Sequence, residues 1–297
     1  MSTSWLRKDQ DAAASSSAPA GARLRRKIAG MAMIDANGVR LYAEQAGQGD
    51  DVIFISGLAD EGACWVDQVA GLSDRWHITT FDNRGVGQSE TPPGEYRIAS
   101  FAEDTAALMD ALGIERAHVV GSSMGGAIAQ ELALAHPDKV RSLVLNGTYC
   151  RGDHFFREVI RSWQWAARKS DNLRDFLNVV NLWCFAPRIY NDGTMEEWLT
   201  AAEASPHAQS VDAFCRSADA LIEHDSFDRV GAIAVPTLVT VGELDLCLPE
   251  RFGRELAGRI PGARLEVIPE QGHQPFQEGP AAYNELLAAF WSGVPAR

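Results

Sequence analysis

A serine between two glycines is the side chain whose surroundings in the sequence most suggest chemistry. Ser123 lies in Gly121-Ser122-Ser123-Met124-Gly125, directly after an apolar run at 117–120 and directly before a segment with helical spacing at 127–134. We therefore predict a strand, a sharp turn and a helix, with Ser123 at the apex. The two glycines leave room for a turn in which larger side chains would collide. The hydroxyl would project at a helix N-terminus, where free amides favour negative charge.

A serine hydroxyl is a weak nucleophile and needs a base, which in turn needs an acid to orient it. Two candidates follow predicted strands late in the chain. Asp245 ends Gly242-Glu243-Leu244-Asp245, after a strand at 237–241, and His273 ends Glu270-Gln271-Gly272-His273, after a strand at 263–268. Both would lie on loops at the carboxyl end of a parallel sheet, where ligands bind in open sheets of this kind. With such a base and acid beside it, the Ser123 hydroxyl could attack a carbonyl carbon.

The remaining polar candidates have simpler interpretations. Glu243 lies nearer the strand end than Asp245 and is predicted to be solvated or supporting. Asp82 and Arg84 lie in a tight loop and are predicted to bond the backbone around its glycines. The other histidines are predicted to be structural or solvated: His77, His118, His136, His154, His207 and His224.

Composition excludes several classes of function. The chain has 297 residues, of which 46% are hydrophobic, so it can bury a sizeable core. Its net charge of -13 would repel a nucleic-acid backbone, and we predict no nucleic-acid partner. The five cysteines form no Cys-x-x-Cys and are odd in number, so we expect reduced thiols rather than disulfides or a zinc site. No metal-ligand spacing or dinucleotide fingerprint occurs, and we predict neither metal nor cofactor.

Strands that alternate with helices predict an α/β fold with a mostly parallel central sheet flanked by helices. Residues 1–30 are predicted to be a disordered tail, 31–147 the first part of the α/β core, 148–230 an inserted helical lid, and 231–297 the second part of the core. The core should open with a hairpin whose turn is Asn37-Gly38. No apolar run reaches transmembrane length, and the basic residues of the tail are not followed by the apolar stretch that a secretory signal needs. We therefore predict a cytoplasmic protein without a membrane span.

The chain resembles the α/β-hydrolase fold family over nearly everything from Met31 onward. Four stretches carry the resemblance: Phe81-Asp82-Asn83-Arg84-Gly85, the turn around Ser123, Gly242-Glu243-Leu244-Asp245 with Pro249, and Gly272-His273. They occur in the order typical of the family. Within the family, the chain is similar to lid-bearing esterases and lactonases, including 3-oxoadipate enol-lactonase-like and aminoacrylate-hydrolase-like members.

The resemblance implies a role for each residue of the site. Ser123 would be the nucleophile, His273 the general base and then the general acid, and Asp245 the group that holds the imidazole tautomer. The oxyanion hole would use the backbone amides of Met124 and Leu58. Some relatives place the acid after the strand that here ends in Leu145, but Asn146 at that position cannot carry the charge.

The oxyanion loop departs from the family in one residue. Family members usually carry His-Gly where this chain has Ser56-Gly57. Since the donor is a backbone amide, it survives the change, whereas the rigidity of the loop and the polarity of the pocket are in question. Candidate pocket residues are Ser56, Gly57, Trp163, Trp183 and Arg188, the last of which would either grip a substrate carboxylate or be solvated.

The function expected from this resemblance is a serine hydrolase that cleaves a carboxylic ester or lactone of a small, largely apolar substrate through an acyl-enzyme. The same triad could instead serve C–C bond hydrolysis, cofactor-free perhydrolysis or a lyase-like step. A non-catalytic ligand-binding protein on a hydrolase scaffold is the alternative from another class. The sequence leaves the oligomeric state open, with a homodimer among the options.

Overall fold

The computed structural model describes residues 28–295. Residues 1–27, which make up nearly all of the predicted tail, and residues 296–297 lie outside this range. Within it, the sheet contains eight strands: β1 Ile28–Ala36, β2 Val39–Ala46, β3 Asp50–Ile55, β4 Trp76–Phe81, β5 Ala117–Ser122, β6 Val140–Asn146, β7 Thr237–Gly242 and β8 Arg264–Ile268.

The sheet has the order β1-β2-β4-β3-β5-β6-β7-β8. The first two strands pair antiparallel with each other, and β2 pairs antiparallel with β4. Every other pair is parallel. The predicted α/β-hydrolase fold with a mostly parallel sheet is therefore confirmed. The parallel strands share one carboxyl edge, and β5, which leads to Ser123, lies near the middle of the sheet.

The antiparallel part begins with the predicted hairpin. Asn37 and Gly38 have φ angles of 51° and 74°, and the register pairs Ala36 with Val39 across a two-residue loop. Two consecutive positive φ values are those of a type I′ turn, whose twist matches that of the flanking strands.

Eleven α-helices and three short 3₁₀ turns accompany the sheet in residues 28–295. The helices are α1 Val66–Leu72, α2 Ile98–Ala111, α3 Met124–Ala135, α4 His154–Lys169, α5 Leu173–Cys184, α6 Pro187–Asn191, α7 Thr194–Ala204, α8 Val211–Glu223, α9 Glu250–Arg259, α10 Pro275–Glu278 and α11 Pro280–Ser292. A 3₁₀ turn, Gly62–Trp65, leads directly into α1.

Helices cover both faces of the sheet. Ile53, Ile55 and Val119 point into a core shared with α2, α3 and α9. Val52 and Phe54 point into a second core shared with α1 and α11. Because both faces are buried, the strands form continuous apolar runs rather than alternating patterns.

Between β6 and β7 the chain forms five helices, α4 to α8, which we call the helical insertion (residues 154–223). The segment between these two strands contains no strand, apart from a single bridge between Arg151 and Asp225. The insertion joins the larger core through side chains such as Phe156, Ile160 and Phe214. It lies across the carboxyl edge of the sheet, since Trp163 and Phe176 border the same cavity as Ser123.

Candidate active site

Ser123 occupies a strained turn between β5 and α3. Its φ and ψ angles are 56° and -116°, a conformation that side-chain-bearing residues rarely adopt and that costs of order 1–3 kcal/mol. The turn is held by hydrogen bonds on both sides: the Ser123 amide donates to the Asn146 carbonyl oxygen at 2.9 Å, and the Thr148 hydroxyl donates to the Ser123 carbonyl oxygen at 2.8 Å. The strand, turn and helix predicted from the sequence are all present.

The two flanking glycines are required by close backbone approach. A Cβ atom on Gly121 would lie 2.2 Å from the carbonyl oxygen of Gly125. A Cβ atom on Gly125 would lie 2.1 Å from the carbonyl oxygen of Ile55. Both contacts involve backbone atoms that cannot rotate away, so the turn packs tightly against β3 and against itself.

Asp245 and His273 meet at the edge of the sheet formed by β7 and β8. The His273 Nδ1 atom lies 2.7 Å from Asp245 Oδ2, and both side chains are almost fully buried. The other carboxylate oxygen of Asp245 accepts the Leu248 amide at 2.8 Å, which fixes the carboxylate plane. With Nδ1 engaged by the acid, Nε2 is the nitrogen left for proton transfer.

The charge of this pair depends on two opposed effects. Burial of the imidazole disfavours its charged form, but the charge and hydrogen bond of the Asp245 carboxylate, together with smaller effects of the neighbouring Cys184 and Asp60, outweigh burial. The pKa of His273 is therefore raised, to about 9. Asp245 thus stabilises the imidazolium that forms when the His273 imidazole takes up a proton.

The loop that carries His273 is fixed through its backbone. The His273 amide donates to the carbonyl oxygen of Cys184, the last residue of α5, at 2.6 Å. The His273 carbonyl oxygen accepts the side-chain amide of Asn146 at 3.2 Å. Asn146 also donates to the Ser122 hydroxyl at 3.0 Å and accepts from the Thr240 hydroxyl at 2.9 Å. One buried side chain therefore joins the segments that carry Ser123 and His273.

A second tether connects the helical insertion to the same loop. The buried carboxylate of Glu278 accepts the amides of Gly272, at 3.0 Å, and Ala186, at 3.4 Å. The Arg188 guanidinium donates to the Glu278 carbonyl oxygen at 2.7 Å and to Gln271 Oε1 at 2.8 Å. Arg188, predicted as a pocket residue, therefore has protein partners on the His273 loop. It does not line the cavity described next.

Ser123 and His273 border one cavity of about 90 Å³ between the sheet edge and the helical insertion. Asn181 and Gln274 contribute polar walls. The remaining lining residues are Leu58, Ala59, Asp60, Trp163, Phe176, Leu177, Val180, Cys184 and Phe214. Of the predicted pocket residues, Trp163 lines this cavity, whereas Trp183 lies outside its lining with its ring 6.1 Å from that of Phe155. We call this space the Ser123 cavity.

A second cavity of about 140 Å³ lies beside the Ser123 cavity. Ala59, Phe176, Leu177 and Phe214 border both spaces. The side-chain amide of Gln209 borders the second one, and its nitrogen and oxygen are buried without a hydrogen-bond partner among the residues described. The two cavities together form a mostly apolar space with few polar groups.

The two backbone amides predicted to form the oxyanion hole belong to Leu58, in the loop after β3, and to Met124. Leu58 borders the Ser123 cavity, and Met124 begins α3, where helix amides have no intrahelical acceptor. Ser56 and Gly57 are buried beneath the loop rather than in the cavity lining. The Ser56 hydroxyl accepts from the Trp65 indole at 3.2 Å, and its carbonyl oxygen accepts from the Asn83 amide at 3.2 Å. These bonds brace the loop in which serine replaces the usual histidine.

The other sequence candidates have structural partners. Asp82 accepts the amides of Gly62 and Gln88 at 2.7 and 2.8 Å, and Arg84 donates to the two carboxylate oxygens of Asp104 through Nε and Nη2. Burial lowers the pKa of His118 and of His224 to about 4, so both stay neutral at pH 7. Glu243 accepts the Glu270 amide at 3.0 Å and thereby joins the loops after β7 and β8.

Two searches of the described residues gave negative results. Residues 28–295 contain no group of three or more His, Cys, Asp or Glu side chains arranged to hold a metal ion. In the same part of the chain, none of the helices combines the length and apolar character that crossing a membrane requires.

Residues 51–280 match the α/β hydrolase fold family. The chain belongs to this family. The matched residues run from β3 to the start of α11, and they include the helical insertion and Ser123, Asp245 and His273.

Individual relatives agree with this assignment. A protein of Caulobacter sp. (strain K31), provisionally named carbamate hydrolase RutD, is 31% identical over 255 residues, which cover 82% of this chain and 91% of the relative. A protein of Mycobacterium tuberculosis (strain CDC 1551 / Oshkosh), provisionally named non-heme bromoperoxidase BpoC, is 33% identical over 264 residues, covering 87% of this chain and 100% of the relative. The crystal structure of the enol-lactonase from Burkholderia xenovorans LB400 superposes with a TM-score of 0.80 at 27% identity, covering 89% of this chain and 100% of that one.

Proposed function

We propose that this protein hydrolyses a carboxylic ester or lactone of a small substrate through an acyl-enzyme on Ser123. The observation that carries the proposal is the Ser123 cavity itself. A serine on a strained turn and an imidazole held by a buried carboxylate border one enclosed space. This combination is what activation of a serine hydroxyl requires.

The reaction would begin with attack of the Ser123 hydroxyl on the carbonyl carbon, while His273 Nε2 takes the hydroxyl proton. The amides of Leu58 and Met124 would donate to the oxyanion of the tetrahedral intermediate. His273 then gives its proton to the departing alkoxide, which leaves the acyl group on Ser123. In a lactone the alkoxide remains attached to the acyl group. A water molecule, deprotonated by His273, attacks the acyl-enzyme, and His273 returns that proton to the Ser123 oxygen as the acid is released.

The cavity dimensions and lining favour a small substrate. About 90 Å³ beside Ser123 accommodates only a few non-hydrogen atoms, and the adjoining apolar space of about 140 Å³ could take the rest of the molecule. We propose that the helical insertion acts as a lid over this space, because three of its aromatic side chains, Trp163, Phe176 and Phe214, line the Ser123 cavity. An apolar lining of this kind excludes water and strengthens the interaction of the oxyanion with its donors.

The names of the relatives support acyl transfer without selecting one substrate. They include an enol-lactonase and a provisional carbamate hydrolase, and both names denote attack on a carbonyl carbon bearing oxygen. The provisional bromoperoxidase indicates that peroxide should also be offered as the acceptor. The panel described next therefore contains esters, lactones, a carbamate and hydrogen peroxide with acetate.

Two measurements test the proposal. The first is turnover by the purified full chain across p-nitrophenyl esters, small lactones, an alkyl carbamate, vinylogous diketones and peroxide with acetate. The second is labelling by a fluorophosphonate, with the modified residue located by mass spectrometry. We expect ester or lactone turnover, labelling at Ser123, and loss of both in Ser123→Ala. Turnover confined to diketones or peroxide, or substantial ester turnover by Ser123→Ala, would contradict the proposal. An unlabelled Ser123 would favour a binding protein.

A further inference from the structure

The loop after β3 carries a carboxylate into the Ser123 cavity. Asp60 borders the cavity together with Ser123 and His273. A Cβ atom built on Gly57 would lie 2.8 Å from Asp60 Oδ2 and 3.4 Å from Ser123 Cβ, so the carboxylate and the serine flank the same point of the loop. The Asp60 carboxyl group is surrounded by protein atoms, and part of the residue's surface remains open.

Asp60 differs from the deeply buried carboxylates in having few partners within the part of the chain that the structure describes. Asp82 accepts two backbone amides, Asp104 binds Arg84 in a bidentate pair, and Glu278 accepts two amides beside Arg188. For Asp60 the only side-chain hydrogen bond found in residues 28–295 is a long one from the Gln274 amide, at 3.4 Å. None of the ion pairs in that part of the chain includes Asp60. A carboxylate so placed costs free energy unless something else compensates its charge.

We propose that Asp60 selects substrates whose acyl group carries a positively charged nitrogen. An ammonium group in the Ser123 cavity would donate to Asp60 and supply the partner that the protein does not. This inference rests on the proposed function, since it names the substrate class of the same site.

The chemistry of the reaction gives a second reason. The oxyanion would form beside the loop that carries both Leu58 and Asp60, and an uncompensated carboxylate there disfavours the developing negative charge. A bound ammonium offsets that effect and therefore speeds acylation as well as binding. An anionic acyl group has the opposite consequence, because two carboxylates would share one enclosed space.

The surroundings of Asp60 agree with a site for a cation. Burial, the largest effect, raises the pKa of Asp60. The His273 imidazolium lowers this pKa and the Glu61 carboxylate raises it, so that it lies at about 6. Burial also raises the pKa of the Cys64 thiol next to this loop, and the thiol therefore stays neutral. The carboxyl group is therefore mostly ionised at pH 7.5. The faces of aromatic side chains that line the cavity, Trp163 and Phe214 among them, also attract cations.

The test compares three methyl esters of similar length at pH 7.5: methyl 3-aminopropanoate, which carries an ammonium, methyl butanoate, which is neutral, and monomethyl succinate, which is anionic. The measured quantity is kcat/KM for each ester with the full chain and with Asp60→Asn. The matched control is Asp67→Asn, the same change of side chain at an exposed position of α1 that borders neither the Ser123 cavity nor the adjoining one.

We expect the natural chain to prefer the ammonium ester over methyl butanoate and to discriminate against monomethyl succinate. Asp60→Asn should reduce the ammonium-to-neutral ratio by about tenfold or more, the loss typical of a buried hydrogen bond to a charged group. It should also raise the anionic-to-neutral ratio, whereas Asp67→Asn should change both ratios by less than about threefold. Equal rates for all three esters in the natural chain, or an unchanged ratio in Asp60→Asn, would overturn the inference.

A readout that does not depend on ester turnover separates this inference from the proposed function. Two alkyl fluorophosphonates that differ only in a terminal ammonium or methyl group should label Ser123 at different rates, and the ammonium probe should lose its advantage in Asp60→Asn. If Ser123 reacts with both probes at one rate, only the choice of substrate is wrong. If neither probe labels Ser123 and no ester is hydrolysed, the proposed function fails, and this inference fails with it.

Discussion

The backbone amide of His273 donates to the carbonyl oxygen of Cys184 at 2.6 Å, so the end of helix α5 holds the loop that carries the imidazole. Cys184 belongs to the helical insertion and also lines the Ser123 cavity. The insertion therefore has two roles in the structure. It encloses the space beside Ser123, and it fixes the backbone of the residue that we propose as the base.

The pH dependence of the reaction should reflect the raised pKa of His273. Only the neutral imidazole can accept the Ser123 proton, and the Asp245 carboxylate favours the charged form. We therefore expect kcat/KM for a neutral ester to rise with pH, with an acid limb above the value of 6.5 that is usual for free imidazole. The measurement is a pH–rate profile between pH 5 and pH 10. An acid limb at or below pH 6 would contradict the assignment of His273 as the base in this environment.

Replacement of the acid should slow the reaction without unfolding the protein. In Asp245→Asn the amide keeps the shape of the carboxylate but loses its charge and stabilises the wrong imidazole tautomer. We expect kcat to fall by about 10⁴-fold, as for the corresponding change in another serine enzyme. The matched control is Glu243→Gln, on the same loop, which keeps an oxygen to accept the Glu270 amide and should change kcat by less than about threefold. Equal effects of the two substitutions would show that Asp245 is not the acid.

The tether between the helical insertion and the His273 loop should influence catalysis through position. Glu278→Ala leaves the Gly272 and Ala186 amides without their acceptor and removes the carboxylate that pairs with Arg188 at 3.4 Å, while the Arg188 bonds to the Glu278 carbonyl oxygen and to Gln271 remain. We expect the free energy of unfolding in denaturant to fall by about 2 kcal/mol. We also expect kcat to fall by about tenfold while KM changes little, because the imidazole moves and the cavity walls remain in place.

Glu278→Gln should recover most of the lost kcat, since the amide oxygen can still accept both backbone donors. A merely structural role predicts a different result, in which stability falls and kcat per folded molecule is unchanged.

Two glycine-to-alanine substitutions should have opposite effects on stability, because Gly121 is in close contact with the backbone at the turn whereas Gly258 has open space around it. Gly121→Ala would place a methyl group against the Gly125 carbonyl oxygen and should destabilise the protein by about 3 kcal/mol or more. Gly258→Ala, at an exposed position of α9 with open space around it, should stabilise the protein by about 0.5–1 kcal/mol. The measurement is equilibrium unfolding in urea. A tolerated alanine at position 121 would mean that the turn is looser than the structure shows.

The sequence was most informative where chemistry depends on local geometry. The turn around Ser123 was predicted because its glycines, strand and helix are contiguous, and the hairpin at Asn37 was predicted for the same reason. Helix α10 was not predicted, because four residues are too few to show a helical period. The predicted roles of Ser123, Asp245 and His273 remain proposals, although the structure brings Asp245 and His273 into contact and places Ser123 and His273 on one cavity.

Roles that depend on distant contacts could not be predicted. Nothing near Glu278 in the sequence indicates that its carboxylate accepts amides from two separate segments. In the sequence, Asn146 is notable only as an uncharged residue at a possible acid position, whereas in the structure its side chain donates to the His273 carbonyl oxygen and to the Ser122 hydroxyl. Asp60 lies two residues after the predicted oxyanion donor Leu58, and that spacing is the signal that could have singled it out.

The bond between Cys184 and His273 also has a consequence for protein engineering. Exchanging the region between β6 and β7 for that of a relative is an obvious way to alter substrate range. Here such a chimera would need to preserve the carbonyl oxygen at the position of Cys184 and a hydrogen-bond donor at the position of Arg188, or the graft would displace the imidazole it was meant to leave alone. Point substitutions on the cavity-facing side of α5 avoid that coupling and are the safer starting library.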